Sequence, residues 1–274
     1  MKPRSLLLSS LVTLSALTST ALAEDDVPPS TDAPAGQYAA LRGVQGPKGM
    51  FSAQLLLNIN MSADLVGKPI SLSPDLYYAI SDKLQIGLVH QGALGWQTPP
   101  GTSLCLTGSD NGCAEVYNNV GFDLMYGVLF GKTDLSLHGS VFLDRLTDPL
   151  DAKVAIGVTG KQHFSEDVTL LFDPKIAIEL SDRDVYDDIL YIPVELGYQV
   201  GAPNLLKLLT GIYGPLDGFG DAFRVPLGVG YIRNINPHID LGLRFSFDNL
   251  LGAEQMNVGR ADERSLAVLL NVRS

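Results

Sequence analysis

From residue 51 onward, apolar and polar residues alternate. Phe51, Ala53, Leu55, Leu57, Ile59 and Met61 fall on one face of an extended chain, and Ser52, Gln54, Leu56, Asn58, Asn60 and Ser62 on the other. The same period of two returns about twelve times before the C-terminus. It predicts strands near residues 49–62, 68–81, 84–96, 116–130, 133–145, 151–163, 167–181, 188–200, 204–213, 222–233, 238–248 and 264–273. Most are long enough to cross a hydrocarbon layer when tilted.

The connections sort by length. Those at Asp82-Lys83, Gly131-Lys132, Phe164-Ser165-Glu166, Gly201-Ala202-Pro203 and Asn234-Ile235-Asn236-Pro237 are short. They alternate with connections at 63–67, 97–115, 146–150, 182–187, 214–221 and 249–263, most of them longer. In an up-and-down barrel, alternate connections emerge at opposite ends, and membrane barrels keep the short ones on one side. A soluble sandwich has no reason to sort its loops by parity. The apolar faces agree: Ile70, Leu72, Leu76, Tyr78 and Ile80 share one, and Val120, Phe122, Leu124, Tyr126, Val128 and Phe130 another. Phe51, Trp96, Phe130, Tyr198, Tyr231 and Phe247 lie near strand ends, where interfacial aromatics belong.

The N-terminus supplies the compartment. Lys2 and Arg4 precede an apolar stretch from Leu6 to Leu17, and Ala21-Leu22-Ala23 is a small-x-small cleavage site. Residues 1–23 read as a signal peptide. Residues 24–47, rich in Pro, Ala, Asp and Gly, read as a short disordered periplasmic linker, and 48–274 as the barrel. Beyond the signal no apolar run is long enough for a membrane helix, so a membrane-spanning chain must close into a barrel. The expected fold is therefore all-β: a transmembrane antiparallel up-and-down barrel of about twelve strands, with both termini periplasmic.

Charge narrows the partners. Removing Lys2 and Arg4 from the 19 basic residues leaves 17 against 30 acidic ones. That balance argues against nucleic acid, which requires basic patches. The two cysteines, Cys105 and Cys113, share one polar loop. In an exported chain they read as a disulfide, which would remove about 2–3 kcal/mol of unfolded-state entropy. No His lies near them, and no cluster has metal-ligand spacing, so neither metal nor cofactor is expected.

The chain resembles bacterial outer-membrane β-barrel proteins of the porin-like kind, without selecting one family. The strand-turn-strand units Ile80-Ser81-Asp82-Lys83-Leu84-Gln85-Ile86-Gly87-Leu88 and Tyr231-Ile232-Arg233-Asn234-Ile235-Asn236-Pro237-His238-Ile239-Asp240-Leu241 carry the likeness. It implies an outer-membrane location in a Gram-negative cell, with membrane lipid and the barrel-assembly machinery as partners. One departure is that such barrels usually end in an aromatic residue, whereas this chain ends Asn271-Val272-Arg273-Ser274.

If the apolar face meets lipid, the other lines a lumen. Lys153, Lys161, Lys175, Glu195, Arg224, Arg244, Asp123 and Asp240 are the expected lining, with Asp75, Asp134, His138, Asp144, Asp173, Glu179, Lys207 and Asp248 on the same face. Two interiors fit this mixture: a narrow wet channel, which twelve strands favour, or a charge-paired closed one. His90 falls on the lipid face unless a bulge turns it inward. Pro74, Pro174, Pro193 and Pro226 mark bulges or strand boundaries.

His138 and Ser140 are the one catalytic-looking pair. Outer-membrane lipid hydrolases use a similar His-x-Ser arrangement with a third acidic or amide group. Here Leu135, Leu137, Val141 and Leu143 take the lipid face, so the pair points inward, away from lipid esters. The expected function is a passive, porin-like conduit for small solutes, not an enzyme. Two other readings remain: a non-conducting barrel that binds through its outer loops, and a lipid hydrolase using His138 and Ser140.

Overall fold

A computed structural model describes residues 39–91, 100–253 and 261–274. Residues 1–23, expected to be a signal peptide, residues 24–38 and Trp96 lie outside the described residues. The strands are β1 (Phe51–Asn60), β2 (Ile70–Ser81), β3 (Leu84–Val89), β4 (Leu104–Cys105), β5 (Val120–Leu129), β6 (Thr133–Arg145) and β7 (Asp151–His163). Then come β8 (Val168–Phe172), β9 (Lys175–Glu179), β10 (Ile189–Gln199), β11 (Asn204–Pro215), β12 (Leu227–Asn236), β13 (Ile239–Phe247) and β14 (Arg264–Arg273).

Each barrel strand pairs antiparallel with its sequence neighbour. β1 also pairs with β14, from Ser52 opposite Arg273 to Asn60 opposite Ser265, which closes the sheet. β4 is a two-residue strand within a loop, and β8 and β9 are two halves of one barrel strand. The molecule is thus a closed antiparallel barrel of 12 strands. Closure pairs the first strand with the last, as backbone placed in lipid requires.

The alternation separates the faces. Outward side chains such as Leu124, Leu137, Ile156, Leu208 and Leu243 are exposed apolar residues. Their neighbours one position along, such as Asp123, Ser136, Lys153 and Lys175, point inward and are buried. The five short connections lie at the same end as Phe51 and Arg273, here termed the terminal end, and the longer loops lie at the opposite end.

Two strands depart from the sequence pattern. The expected strand at 84–96 stops at Val89, because the next backbone N–H, that of His90, donates to Asp75 Oδ1 at 2.6 Å instead of to a neighbouring strand. The edge of β2 exposed by this early stop is partly covered by β4, with Ser71 opposite Cys105 and Leu72 opposite Leu104. An unpaired edge is a liability, and the loop removes it. His90 is buried rather than lipid-facing, and its Nε2 lies 2.9 Å from the Tyr117 hydroxyl. Asn119 Nδ2 donates to the His90 carbonyl at 2.8 Å, which ties the loop down. The Cys105–Cys113 disulfide is formed within it.

The second departure is the break between β8 and β9 at Asp173-Pro174. Proline has no N–H for the ladder. The Asp173 N–H donates to the Pro193 carbonyl at 3.2 Å, and the Pro174 carbonyl accepts from Val158 at 3.0 Å. Gly157 makes this possible, since a Cβ there would lie 2.1 Å from the Pro174 oxygen.

The lumen and its N-terminal plug

The interior holds three clusters of polar side chains, all placed by the inward half of the alternation. At mid-barrel, β6 presents His138 between carboxylates from strands on either side. His138 Nε2 lies 2.6 Å from Asp123 Oδ1 on β5, and its Nδ1 lies 2.9 Å from Asp173 Oδ1 at the β8–β9 break. Thr159 donates to the same Asp173 oxygen at 2.6 Å, and Lys175 pairs with Asp173 Oδ2 at 2.6 Å. The break in the strand thus directs Asp173 to three partners.

Ser140 belongs to this cluster. Its hydroxyl donates to Asp123 Oδ1 at 2.5 Å and lies 3.4 Å from His138 Nε2. A serine nucleophile needs a base with a free lone pair directed at its proton. Here Asp123 occupies both the Ser140 proton and the His138 nitrogen facing it. Ser140 is buried and His138 half-buried, both on the inward face, as their place in the alternation predicts.

Towards the loop end, the Lys153 ammonium contacts three carboxylates. It bonds to Asp151, lies 3.2 Å from Glu179 and 3.7 Å from Asp144, and sits 5.2 Å from the centre of the Tyr186 ring. Arg244 is buried on β13 and donates from Nη2 to Asn58 at 3.1 Å. Its Nε and Nη1 have no protein partner among the described residues. Arg224 precedes β12, outside the strands, and pairs with Glu263 at 3.0 Å near the loop end.

The terminal end holds what the sequence pattern did not reveal. Residues 39–47, the end of the segment expected to be a periplasmic linker, are seated inside the barrel mouth. A 3-10 turn at Ala39–Leu41 places Ala40, fully buried, against Leu56, Leu205, Ile232, Ala267 and Leu269. The Ala40 N–H donates to Gln199 Oε1 at 3.0 Å, and the Gly46 N–H to Gln85 Oε1 at 3.0 Å. Arg42 reaches Asp240 with both terminal nitrogens, at 2.6 and 3.2 Å. Lys161 donates to the Arg42 carbonyl at 2.7 Å and the Ala39 carbonyl at 3.3 Å. The one local signal was Ala39-Ala40-Leu41-Arg42, a short apolar patch beside a lone cation in an otherwise polar stretch. An isolated patch of that size has no periodicity to read.

Of the expected lining residues, Lys153, Lys161, Lys175, Glu195, Arg244, Asp123 and Asp240 are buried on inward positions. Most lie in contact with opposite charge: Glu195 pairs with Lys207 at 2.6 Å, and Asp240 pairs with Arg273 at 2.5 Å as well as with Arg42. The inner wall also carries apolar side chains, including Leu56, Leu209 and Phe142, all nearly inaccessible to solvent. The inward positions among the described residues are thus mostly buried and charge-paired. Beneath the plug lies a cavity of about 200 Å³.

No protein-family model and no curated protein sequence matches the chain. Solved structures do. A NanC porin superposes with a TM-score of 0.54 at 6% identity, covering 81% of this chain and 98% of its own. An outer membrane channel from Pseudomonas putida F1 gives 0.54 at 13% identity, covering 84% and 97%. A KdgM porin, solved in complex with disordered oligogalacturonate, gives 0.53 at 7% identity, covering 81% and 98%. Over nearly the full length of these proteins, the chain shares the barrel fold of outer-membrane porins and channels.

Proposed function

We propose that this chain is a porin-like conduit of the bacterial outer membrane for small polar solutes, closed in the present state by residues 39–47. The observation that carries this reading is the manner of closure. The plug is held by hydrogen bonds and one bidentate ion pair to inward residues of four strands, Gln199, Lys161, Asp240 and Gln85, and by apolar contact of Ala40 with the patch around Leu56. It shares no covalent bond with the wall beyond its own continuation into β1. Such contacts are reversible, and their withdrawal would expose a mouth ringed by Lys161, Lys207, Glu195 and Asp240. Charged walls of that kind select solutes by charge and diameter.

With the short turns on the terminal side, both termini lie in the periplasm and the disulfide loop faces the exterior, as is usual for such barrels. The neighbouring porin that holds an oligogalacturonate supports passage of small polar molecules through this fold. Hydrolysis is not proposed, because the Ser140 proton and the facing His138 nitrogen are both engaged by Asp123.

Conductance in planar bilayers tests the proposal. The full chain should give rare or small openings, and a form lacking residues 24–47 should give frequent discrete ones. A truncated form that folds, as judged by heat-modifiable migration, yet gives no openings would overturn the conduit reading.

A further inference from the structure

The cavity beneath the plug has an unusual charge balance. Its wall carries three cations, Arg42, Lys161 and Lys207, and two carboxylates, Glu195 and Asp240. Both carboxylates are committed: Asp240 to Arg42 and Arg273, and Glu195 to Lys207. Lys161 is left with two backbone carbonyls, those of Ala39 and Arg42. No carboxylate lies within ion-pair distance of it among the described residues. A buried ammonium neutralised only by carbonyl dipoles is costly, and an anion beside it lowers that cost.

The rest of the wall is not a sugar site. Leu171, Leu205, Ile232 and Leu269 line it, with Gln54, Thr169 and Asn271 as neutral hydrogen-bonding groups. A sugar acid would leave its hydroxyls facing four apolar side chains. A short hydrocarbon body would match them, and small-molecule sites combine such apolar walls with a few fixed polar groups.

From this cavity we infer a binding site for a small organic monocarboxylate, its carboxylate on the Lys161 ammonium and its hydrocarbon body against Leu205, Ile232 and Leu269. The inference rests on the conduit reading only for its purpose: the site would name the class of solute that waits at the terminal mouth. A bound carboxylate would also compete with the Ala39 and Arg42 carbonyls for Lys161, one of the contacts that hold the plug. Occupancy and opening are therefore coupled through one side chain.

The test uses the full chain folded in detergent, titrated with benzoate and with benzamide, its neutral isostere, by calorimetry. Benzoate should bind and benzamide should not, and Lys161→Met should weaken benzoate binding about tenfold or more, the loss expected for a charge-assisted hydrogen bond. Should Lys161→Met fail to fold, Lys161→Gln keeps the hydrogen bonds to the plug and removes the charge, and it should show the same loss. Undetectable benzoate binding, equal binding of benzamide, or an affinity unchanged by loss of the charge would overturn the site. Because binding is read without conduction, a barrel that conducts but does not bind refutes the site alone. One that binds but never conducts refutes the conduit alone.

Discussion

His138 and Arg244 show how differently two inward-facing basic side chains can be accommodated in one lumen. His138 bridges Asp123 and Asp173, and because Lys175 already pairs with Asp173, its removal strands Asp123 in particular, without a counter-charge beside it. His138→Leu should cost about 3–5 kcal/mol, the usual penalty for breaking a buried pair from one side, read as a lower urea midpoint in micelles. Among the described residues, Arg244 has one side-chain hydrogen bond, to Asn58, and no carboxylate within ion-pair distance. Arg244→Met should therefore leave the urea midpoint unchanged or raise it by about 1 kcal/mol equivalent, since a matched apolar side chain carries no desolvation cost. A marked loss of stability in Arg244→Met would show that the guanidinium is held by more than Asn58. The alternation placed both residues inside. It could not reveal their partners, because Asp173 reaches His138 across an intervening strand, and Asn58 reaches Arg244 likewise.

At the scale of elements, the two irregular strands carry the information that regular ones lack. Pro174 marked a disturbance in the sequence, and the structure resolves it as a break that aims Asp173 inward. The break depends on Gly157, where a Cβ would meet the Pro174 oxygen at 2.1 Å. Gly157→Ala should cost about 1–3 kcal/mol as an overpacking substitution, whereas Gly139→Ala, with open space at its Cβ on the adjacent strand, should be nearly silent. Thermal melts of the two variants side by side provide the comparison. The early end of β3 had no such marker, because no proline or turn pair follows Val89 directly. Only the carboxylate of Asp75, 15 residues earlier in the chain, shows why the ladder stops there. The disulfide acts on the loop that covers this gap. Cys105→Ser with Cys113→Ser should speed surface proteolysis of residues 100–119 and lower the unfolding midpoint by the equivalent of about 2–3 kcal/mol, because the bond constrains the unfolded chain and Cys105 lies in β4, paired with β2.

For the whole molecule, the plug ties the N-terminal segment to the strand that closes the barrel. Asp240 holds Arg42 of the plug and Arg273 of β14 on one carboxylate. Arg42→Ala should raise the open fraction in bilayers while leaving barrel stability nearly intact. Asp240→Asn should do both, opening the mouth and lowering stability by about 2–3 kcal/mol through the stranded Arg273. Equal open fractions in wild type and Arg42→Ala would remove the ion pair from any account of closure.

The sequence by itself determined the barrel: strand number, the sorting of short and long connections, and which face of each strand turns inward. Those follow from a period of two and from the need to satisfy every backbone group, and both are local or topological constraints. Only the tertiary structure decided what fills the lumen. Residues 39–47 carry no period, and their place depends on Gln199, Lys161, Asp240 and Gln85, which come together only once twelve strands have closed into a ring. A closed interior is set by contacts across a cavity, and the linear order of residues does not encode what faces what across empty space.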